Sequence, residues 1–192
     1  MPTPDLKPSG RDFVRRALVE KAGALFAKRG IKAVSVREIA AAAGVNHGLV
    51  HRHFGSKGGL LRAVMTALAD EVVEKIGPAP LDEALPDLLI KSSKATVNGG
   101  LHWRILARAL LDGETPGELQ HSFPVVARLM AAARRDNPSG LSDEALVTLI
   151  VTVSLGLLVF EPYLKLATGQ SDAEWIATRR ELSELAIKSV RP

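Results

Sequence analysis

The 192-residue chain contains no cysteine, so it can hold neither a disulfide framework nor a thiolate metal site. Its first twelve residues, MPTPDLKPSGRD, are polar and proline-rich and lack the apolar segment of a signal peptide. The longest apolar run, 145–160, includes two threonines and a serine and is shorter than the roughly 18 residues that span a bilayer. These absences favour a cytoplasmic protein with a flexible arm over residues 1–10 and no membrane partner.

Strand signals are also missing. The β-branched cluster at 147–153 lies within a helical pattern, and every segment after Leu61 has helical spacing punctuated by proline and glycine. Hydrophobic residues make up 46% of the chain, enough to bury a sizeable core at this length. We therefore predict an all-α fold of about nine helices, arranged as one compact unit or as a small module on a larger one.

A capping box opens the most informative segment. Ser35 can cap the first amides of a helix, while Glu38, three residues later, reaches back to the serine's own amide. Residues at helical spacing then give this helix one apolar face: Val36, Ile39, Ala40 and Ala43. Because Gly44 can take a positive φ, the helix should end near Ala43.

A second short helix should follow this turn. Asn46 is a suitable N-cap, and Val50 and Phe54, four residues apart, would face inward. The residues left facing outward are His47, Gly48, His51 and Arg52. Because imidazole and guanidinium groups suit base edges, and a glycine allows close approach, the pair predicts a helix-turn-helix whose second helix enters the major groove of DNA.

A third helix should begin directly afterwards. Ser56 can cap it, which places Lys57 in its first turn. A cation at that position is unfavourable to the helix dipole, so a compensating anion is expected there. A DNA phosphate fits this requirement.

Basic residues are concentrated in the same region. The first 60 residues carry eleven basic and four acidic side chains, a net charge of +7; since the whole chain carries +4, the remainder carries −3. A basic helix face is often only solvated, but here the positive charge coincides with the motif. This coincidence favours binding to a nucleic acid.

The segment from 11 to 68 resembles the amino-terminal domain of the TetR family of transcriptional regulators. The motifs that carry the resemblance are Phe26-Ala27-Lys28-Arg29-Gly30, Ser35-Val36-Arg37-Glu38-Ile39-Ala40, Ala43-Gly44-Val45, Val50-His51-Arg52-His53-Phe54 and Ser56-Lys57-Gly58-Gly59-Leu60-Leu61. At the position where the family has a tyrosine that touches DNA, this chain has His51, and Val50 replaces the preceding leucine. An imidazole can still donate to a phosphate, but its reach is shorter and its charge depends on pH.

The resemblance implies a role for each matching residue. The residues expected to approach bases are Arg37, His47, Gly48, His51 and Arg52. The residues expected to hold phosphates are Ser35, His53 and Lys57. Asn46 completes the predicted DNA-binding set, in which phosphate contacts position the protein and base contacts specify the sequence.

The predicted regions are the arm at 1–10, a three-helix helix-turn-helix DNA-binding domain at 11–62, and a helical effector-binding and dimerisation domain at 63–192. The apolar stripe over 61–76 predicts one continuous helix that touches both domains. Later helices are expected at 81–97, 101–111, 124–135, 142–166 and 172–190, with Ser142 capping the fourth of these. Thr115, followed by Pro116, also suggests a capped helix start before the segment at 124–135.

The helix expected at 142–166 is apolar on nearly every side, and such a helix is normally buried all round. A second subunit provides that burial more easily than one chain does, although a monomer with a central helix is an alternative. TetR-like proteins are dimers joined by a four-helix bundle of their last two long helices. Such a dimer would place two helix-turn-helix domains on a palindromic operator. The residues expected at this interface are Leu155, Gly156, Val159, Trp175, Leu182 and Leu185.

In a TetR-like regulator the middle helices would enclose a pocket for a small molecule. The aromatic or polar residues expected to line it are His102, Trp103, His121, Phe123, Phe160 and Tyr163, since aromatic walls with a few hydrogen-bonding groups are typical of ligand sites. We expect a small apolar or aromatic effector and no cofactor. The predicted function is that of a dimeric repressor, or less often an activator, which acts on the bacterial nucleoid and leaves its operator when the effector binds.

Three other interpretations stay open. His47 and His51 form an i, i+4 pair that could bind a metal, but no third ligand is evident nearby, so no metal site is predicted. His102 or His121 could be combined with Asp112, Glu114 or Ser122 in a catalytic site, but no motif fixes them, and we predict that the protein is not an enzyme. Finally, the protein could be a constitutive dimeric repressor or architectural protein without a ligand.

Overall fold

The computed structural model describes residues 10–78, 80, 83–98 and 100–188. These residues form eleven α-helices and no strand, so the predicted all-α class is confirmed. The helices are α1 (Gly10–Arg29), α2 (Val36–Ala42), α3 (Gly48–Phe54), α4 (Lys57–Ile76), α5 (Leu85–Asn98), α6 (Gly100–Leu111), α7 (Pro116–Leu119), α8 (Pro124–Arg135), α9 (Asp143–Val159), α10 (Glu161–Thr168) and α11 (Asp172–Lys188). The predicted arm lies outside the described residues, apart from its last residue.

The chain divides into two compact units. The first contains the described residues up to Leu68 together with 104–121, and the second contains the described residues of 69–103 together with those from Ser122 onward. The sequence pattern predicts that 104–121 belongs to the carboxy-terminal domain, whereas in the structure this segment packs within the first unit. The reason is that Ile105, Ala109 and Leu119 are buried in the same apolar core as residues of α1 to α4.

The first unit is built around apolar helix faces that follow the sequence periodicity. Leu18 and Phe26 of α1, Ile39 of α2 and Val50 of α3 are all fully buried in this core. α1 packs against α2, and α2 against α3. Because truncating one such side chain to alanine typically costs about 2–5 kcal/mol, this core fixes the three helices against one another.

The second unit has its own apolar core. Its buried residues come from α5, α8 and α9, which contact one another, and from the last turns of α4. In α4, Leu60 and Val64 are buried in the core of the first unit, whereas Val72 and Ile76 are buried in the core of the second. The helix predicted over 61–76 is therefore continuous and contributes to both units.

A buried carboxylate fixes the carboxyl end of α4 within the second unit. Glu83 accepts from Arg128 Nη2 at 2.7 Å and from Lys91 Nζ at 2.9 Å, and its side chain is only 5% exposed. Arg128 also donates to the carbonyl of Gly77 at 2.8 Å and to that of Pro78 at 3.1 Å, while Arg135 donates to the carbonyl of Glu83. One arginine of α8 thus ties the chain that leaves α4 to a buried acid.

The apolar run predicted as one helix over 142–166 is two helices, and this prediction is wrong. α9 ends at Val159, α10 begins at Glu161, and the two axes differ by 76°. Pro162, at the start of α10, lacks the amide hydrogen that would bond the carbonyl of Leu158, so a continuous helix cannot pass this point without losing that bond. This break and the single turn of α7 raise the helix number above the nine expected.

Membrane-spanning dimensions are not reached by any single helix in the described part of the chain. α9 and α10 reach them only when they are taken together, and the sharp bend separates them.

Other helix ends lie near the predicted ones. Ser142 caps α9 by accepting from the amide of Ala145 at 3.2 Å, as predicted. α5 begins at Leu85 rather than at 81, with Pro86 in its first turn, where a missing amide hydrogen is tolerated. Residues 81, 82, 189 and 190, which the predicted helices include, lie outside the described residues.

Candidate nucleic-acid interface

The predicted capping box is present at the start of α2. The hydroxyl of Ser35 accepts from the amide of Glu38 at 3.2 Å, and Glu38 Oε2 accepts from the amide of Ser35 at 2.8 Å. Arg29 Nη1 lies 2.7 Å from Glu38 Oε1 and ties the end of α1 to this box. The backbone hydrogen bond from Ser35, followed by the bond from Arg29, lowers the pKa of Glu38 to about 2. The carboxylate is therefore ionised at neutral pH.

The turn between α2 and α3 has the geometry that its glycine predicts. Gly44 has a φ of +67°, and its amide donates to the carbonyl of Ala41 at 3.1 Å. α3 starts at Gly48, two residues after the predicted cap Asn46, and His47 stands at the boundary without a side-chain cap. The oxygen of Asn46 nevertheless accepts from the amide of Gly48 at 2.8 Å, so it orders the entry into α3.

α3 presents one face inward and one outward. Val50 is fully buried, and Phe54 is half-buried with the guanidinium of Arg15 lying 5.7 Å from its ring centroid. The exposed residues are Arg37 from α2 together with His47, Gly48, His51 and Arg52 from α3 or its boundary. All five residues predicted to approach bases are therefore open to solvent.

The histidines of this region differ in their surroundings. His51 Nδ1 lies 3.1 Å from the carbonyl oxygen of Gly55, the residue that ends α3. His53 is half-buried, and its ring centroid lies 6.0 Å from that of Phe54. In the described residues there is no group of three or more histidine, cysteine or acidic side chains that could hold a metal ion.

The start of α4 completes the region. Ser56 accepts from the amide of Gly59 at 3.0 Å, as the sequence predicts, and Lys57 is the first helical residue. The sequence pattern did not indicate that position 59 requires a glycine, Gly59. A Cβ atom at this position would lie 2.0 Å from the carbonyl oxygen of Phe54, so the end of α3 packs against a surface that only glycine provides.

Comparison with known proteins identifies this arrangement. Residues 18–64 match the family model of bacterial regulatory proteins of the tetR family. The chain is also 36% identical over 185 residues to an HTH-type transcriptional repressor of Mycobacterium tuberculosis, covering 96% of this chain and 93% of the relative. The protein belongs to the TetR family.

Solved structures of TetR-family proteins share the fold of this chain over nearly its whole length. A bacterial regulatory protein in the tetR family from Rhodococcus RHA1 superposes with a TM-score of 0.65 at 22% identity, covering 96% of this chain and 98% of that one. The TetR family transcriptional regulator PfmR from Thermus thermophilus superposes with a TM-score of 0.64 at 17% identity, covering 97% and 100%. The family model and the Mycobacterium tuberculosis relative, rather than these structures, make the protein a helix-turn-helix transcriptional regulator and not an enzyme, so the catalytic interpretation of His102 and His121 is dropped.

The second unit of this TetR-family protein contains a narrow cleft between α5, α6, α8 and α9. Apolar side chains dominate its lining, which consists of Leu89, Ser92, Trp103, Val125, Val126, Leu129, Ile150, Val151, Ser154 and Leu155. Its cavity volume is about 40 Å³, far below the roughly 300 Å³ of a typical ligand pocket, so a ligand of ordinary size requires the helices to move apart. The indole nitrogen of Trp103 is buried and has no hydrogen-bond partner in the described residues.

Of the six residues predicted to line a pocket, Trp103 lines this cleft. His102 is 2% exposed and packs edge to face on Trp103, with ring centroids 4.6 Å apart. The other four are exposed and do not line the cleft: His121, Phe123, Phe160 and Tyr163. The apolar lining from α8 and α9 was not indicated by the sequence, since aliphatic residues at helical spacing look the same in a core and in a pocket.

The predicted dimer residues have unequal exposure. Trp175 is 4% exposed and Leu155 lines the cleft, whereas Leu185 is 61% exposed. Gly156, Val159 and Leu182 are half-buried. Other large exposed apolar side chains lie on the same two helices: Leu149 and Val153 on α9, and Ile176 on α11, which the apolar pattern of the last helix also offers for this interface.

Proposed function

We propose that the protein is a repressor that binds a palindromic DNA operator as a dimer and releases it when a small molecule occupies the cleft of the second unit. The observation that supports DNA binding best is the outward face of α3. It presents the exposed residues His47, Gly48, His51 and Arg52, and α2, which packs against α3, adds the exposed Arg37. Because the first 60 residues carry a net charge of +7, this face also lies in the most basic part of the chain.

Footprinting tests this part of the proposal. The purified protein is expected to protect a symmetric site in the DNA that flanks its own gene, with half-sites one helical turn or more apart. The name of the Mycobacterium tuberculosis relative supports repression, so transcription from the protected promoter should rise when the gene is deleted. If no flanking or genomic fragment shifts at low ionic strength, the proposed function is wrong.

The exposed apolar side chains of α9 and α11 support a dimer. Leu149 is 52% exposed, Val153 40% and Ile176 69%, although α9 also buries Leu146 and Val147 and α11 buries Trp175. Leu149, Val153 and Gly156 follow one another at spacings of four and three, so they form one stripe along α9. A second copy of the chain would cover this stripe and the exposed side of α11, which would make a four-helix interface of the kind common in the TetR family.

The cleft and the continuity of α4 support control by an effector. α8 supplies three residues of the cleft lining, and the same helix supplies Arg128, which holds the chain at Gly77 after α4. Because α4 also has buried residues in the core of the first unit, a ligand that separates α8 from α9 would shift the helix against which the helix-turn-helix packs. A constitutive repressor is the second candidate, which the small volume of the cleft favours. Thermal-shift screening of small apolar compounds separates the two, since a ligand of the folded state raises the melting temperature.

A further inference from the structure

The hydrogen bond of His51 determines which nitrogen of its imidazole ring carries the hydrogen. Nδ1 lies 3.1 Å from the carbonyl oxygen of Gly55, and a carbonyl oxygen can only accept. Nδ1 therefore carries the hydrogen and donates. In the neutral ring the other nitrogen, Nε2, then has no hydrogen and is a hydrogen-bond acceptor.

In the described part of the chain, Nε2 of His51 has no hydrogen-bond partner. His51 is exposed on α3, as are His47 and Arg52, whereas Val50 is buried. The bond to Gly55 also fixes the ring, because it closes over the last turn of the helix. A preoriented acceptor is thus presented on the face that would enter the major groove.

We propose that His51 is a specificity-determining residue that accepts a hydrogen bond from the exocyclic amino group of a base, either N4 of cytosine or N6 of adenine. The inference rests on the proposed operator binding. In the major groove only these two bases present a donor, whereas guanine and thymine present acceptors at the corresponding edges. A phosphate offers no donor either, so Nε2 of the neutral ring cannot contact a phosphate by accepting a hydrogen bond.

Selection from randomised duplex DNA at pH 8 tests the proposal. The wild-type protein, His51→Ala and the control His47→Ala are each used to enrich binding sequences from the same pool. We expect one position in each half-site at which the wild type selects adenine or cytosine on the contacted strand, and at which His51→Ala alone loses the preference. The loss should be about fivefold in relative affinity, which corresponds to one net hydrogen bond.

The amino group itself can then be removed without changing the protein. Purine in place of adenine, or 2-pyrimidinone in place of cytosine, deletes the donor at that position. Wild-type affinity should fall about fivefold. The affinity of His51→Ala should not change, because its acceptor is already absent. This arm needs only the wild-type protein if His51→Ala does not fold.

Three results would overturn the inference. The His51-dependent position could select guanine or thymine, which would show a donating ring. Alternatively, His51→Ala could weaken all sequences by one factor, which would show that the bond to Gly55 only ends the helix, or the base analogue could bind as well as the natural base. If the wild type enriches no sequence at all, the proposed operator binding fails first, and this inference fails with it; that outcome is visible before any variant is compared.

Discussion

At the scale of single residues, Arg37 and Lys57 should contribute differently to DNA binding. Arg37 is exposed on α2, and in the proposed function it contacts a base. We expect Arg37→Ala to cost about 1–3 kcal/mol of operator binding and to relax the preference at one operator position. Titrations against the operator, its single-base variants and random DNA measure both effects. Equal losses on operator and random DNA would contradict a base-reading role.

Lys57 provides the matched comparison. It is the first residue of α4 and half-buried, where a phosphate would compensate its charge against the helix dipole. Lys57→Ala should weaken binding to all sequences alike and reduce the slope of log affinity against log salt by about one unit. A change of sequence preference in Lys57→Ala would reverse the two assignments.

Gly59 permits a test of how α3 is held against α4. A Cβ atom there would lie 2.0 Å from the carbonyl oxygen of Phe54, so Gly59→Ala must displace the end of the reading helix. We expect a loss of about 1–3 kcal/mol in the free energy of unfolding. The control is Gly58→Ala, whose Cβ would meet Ser56 Oγ at an ordinary 3.6 Å and which should be neutral or gain up to about 1 kcal/mol. Urea unfolding of both variants measures the difference, and equal stabilities would contradict the close contact.

These residues also show what the sequence could predict at this scale. Ser35, Glu38 and Gly44 were predictable because a cap and a positive φ depend on neighbours within a few positions. The bond between Arg29 and Glu38 joins residues nine positions apart in different helices, and the contact at Gly59 depends on how α3 and α4 cross. Such contacts require the packed backbone, which local patterns do not contain.

At the scale of elements, the ion pair of Glu83 and Arg128 should stabilise the junction after α4. Burial would raise the pKa of Glu83, but the hydrogen bonds and charges of Arg128 and Lys91 outweigh burial and lower it. Glu83→Gln leaves Arg128 without its acid, and the free energy of unfolding should fall by about 3 kcal/mol at pH 7. The control Glu71→Gln removes an exposed i, i+4 pair with Lys75 and should cost less than about 0.5 kcal/mol.

The lowered pKa of Glu83 also fixes the pH dependence of this difference. A carboxylate whose folded pKa is depressed stabilises the fold above its unfolded pKa, and this contribution is lost as the pH falls through the folded value. The gap between wild type and Glu83→Gln should therefore be constant from pH 7 to about 5 and shrink below about 4.5. Urea unfolding at several pH values measures it, and a gap that widens on acidification would contradict the ion pair.

The helices themselves were largely predictable, and the exception at α9 and α10 has a definite cause. Periodicity over 142–166 reports apolar faces, and it continues through Pro162 because Phe160, Leu164 and Leu166 keep apolar residues at helical spacing. The backbone does not continue, since proline cannot donate to the carbonyl four residues earlier. Breaks of this kind depend on one residue, and averaging over a window hides them.

At the scale of the whole molecule, the exposed stripe on α9 predicts a dimer. The protein should sediment at about twice its chain mass of 20.5 kDa. Leu149→Arg and Ile176→Arg should each shift it toward the single chain and weaken operator binding, because they would place charges at the interface between copies. Leu111→Arg, at an 86% exposed position of the first unit, is the control and should leave the mass unchanged. Wild-type protein that sediments as one chain would contradict the prediction.

Control by an effector would be a property of the whole molecule, because ligand binding in the cleft of the second unit would have to change DNA binding by the helix-turn-helix of the first. The apolar lining around Trp103 contains no charged side chain, so uncharged compounds that raise the melting temperature saturably are the expected effectors. Any such compound should weaken operator binding, and operator DNA should weaken binding of the compound by the same factor, since coupling free energy is reciprocal. Calorimetric titration of the compound with and without operator measures both directions. A compound that binds saturably in the cleft and leaves operator affinity unchanged would show that binding in the cleft is not coupled to DNA binding through α4. A constitutive repressor would then describe the protein better.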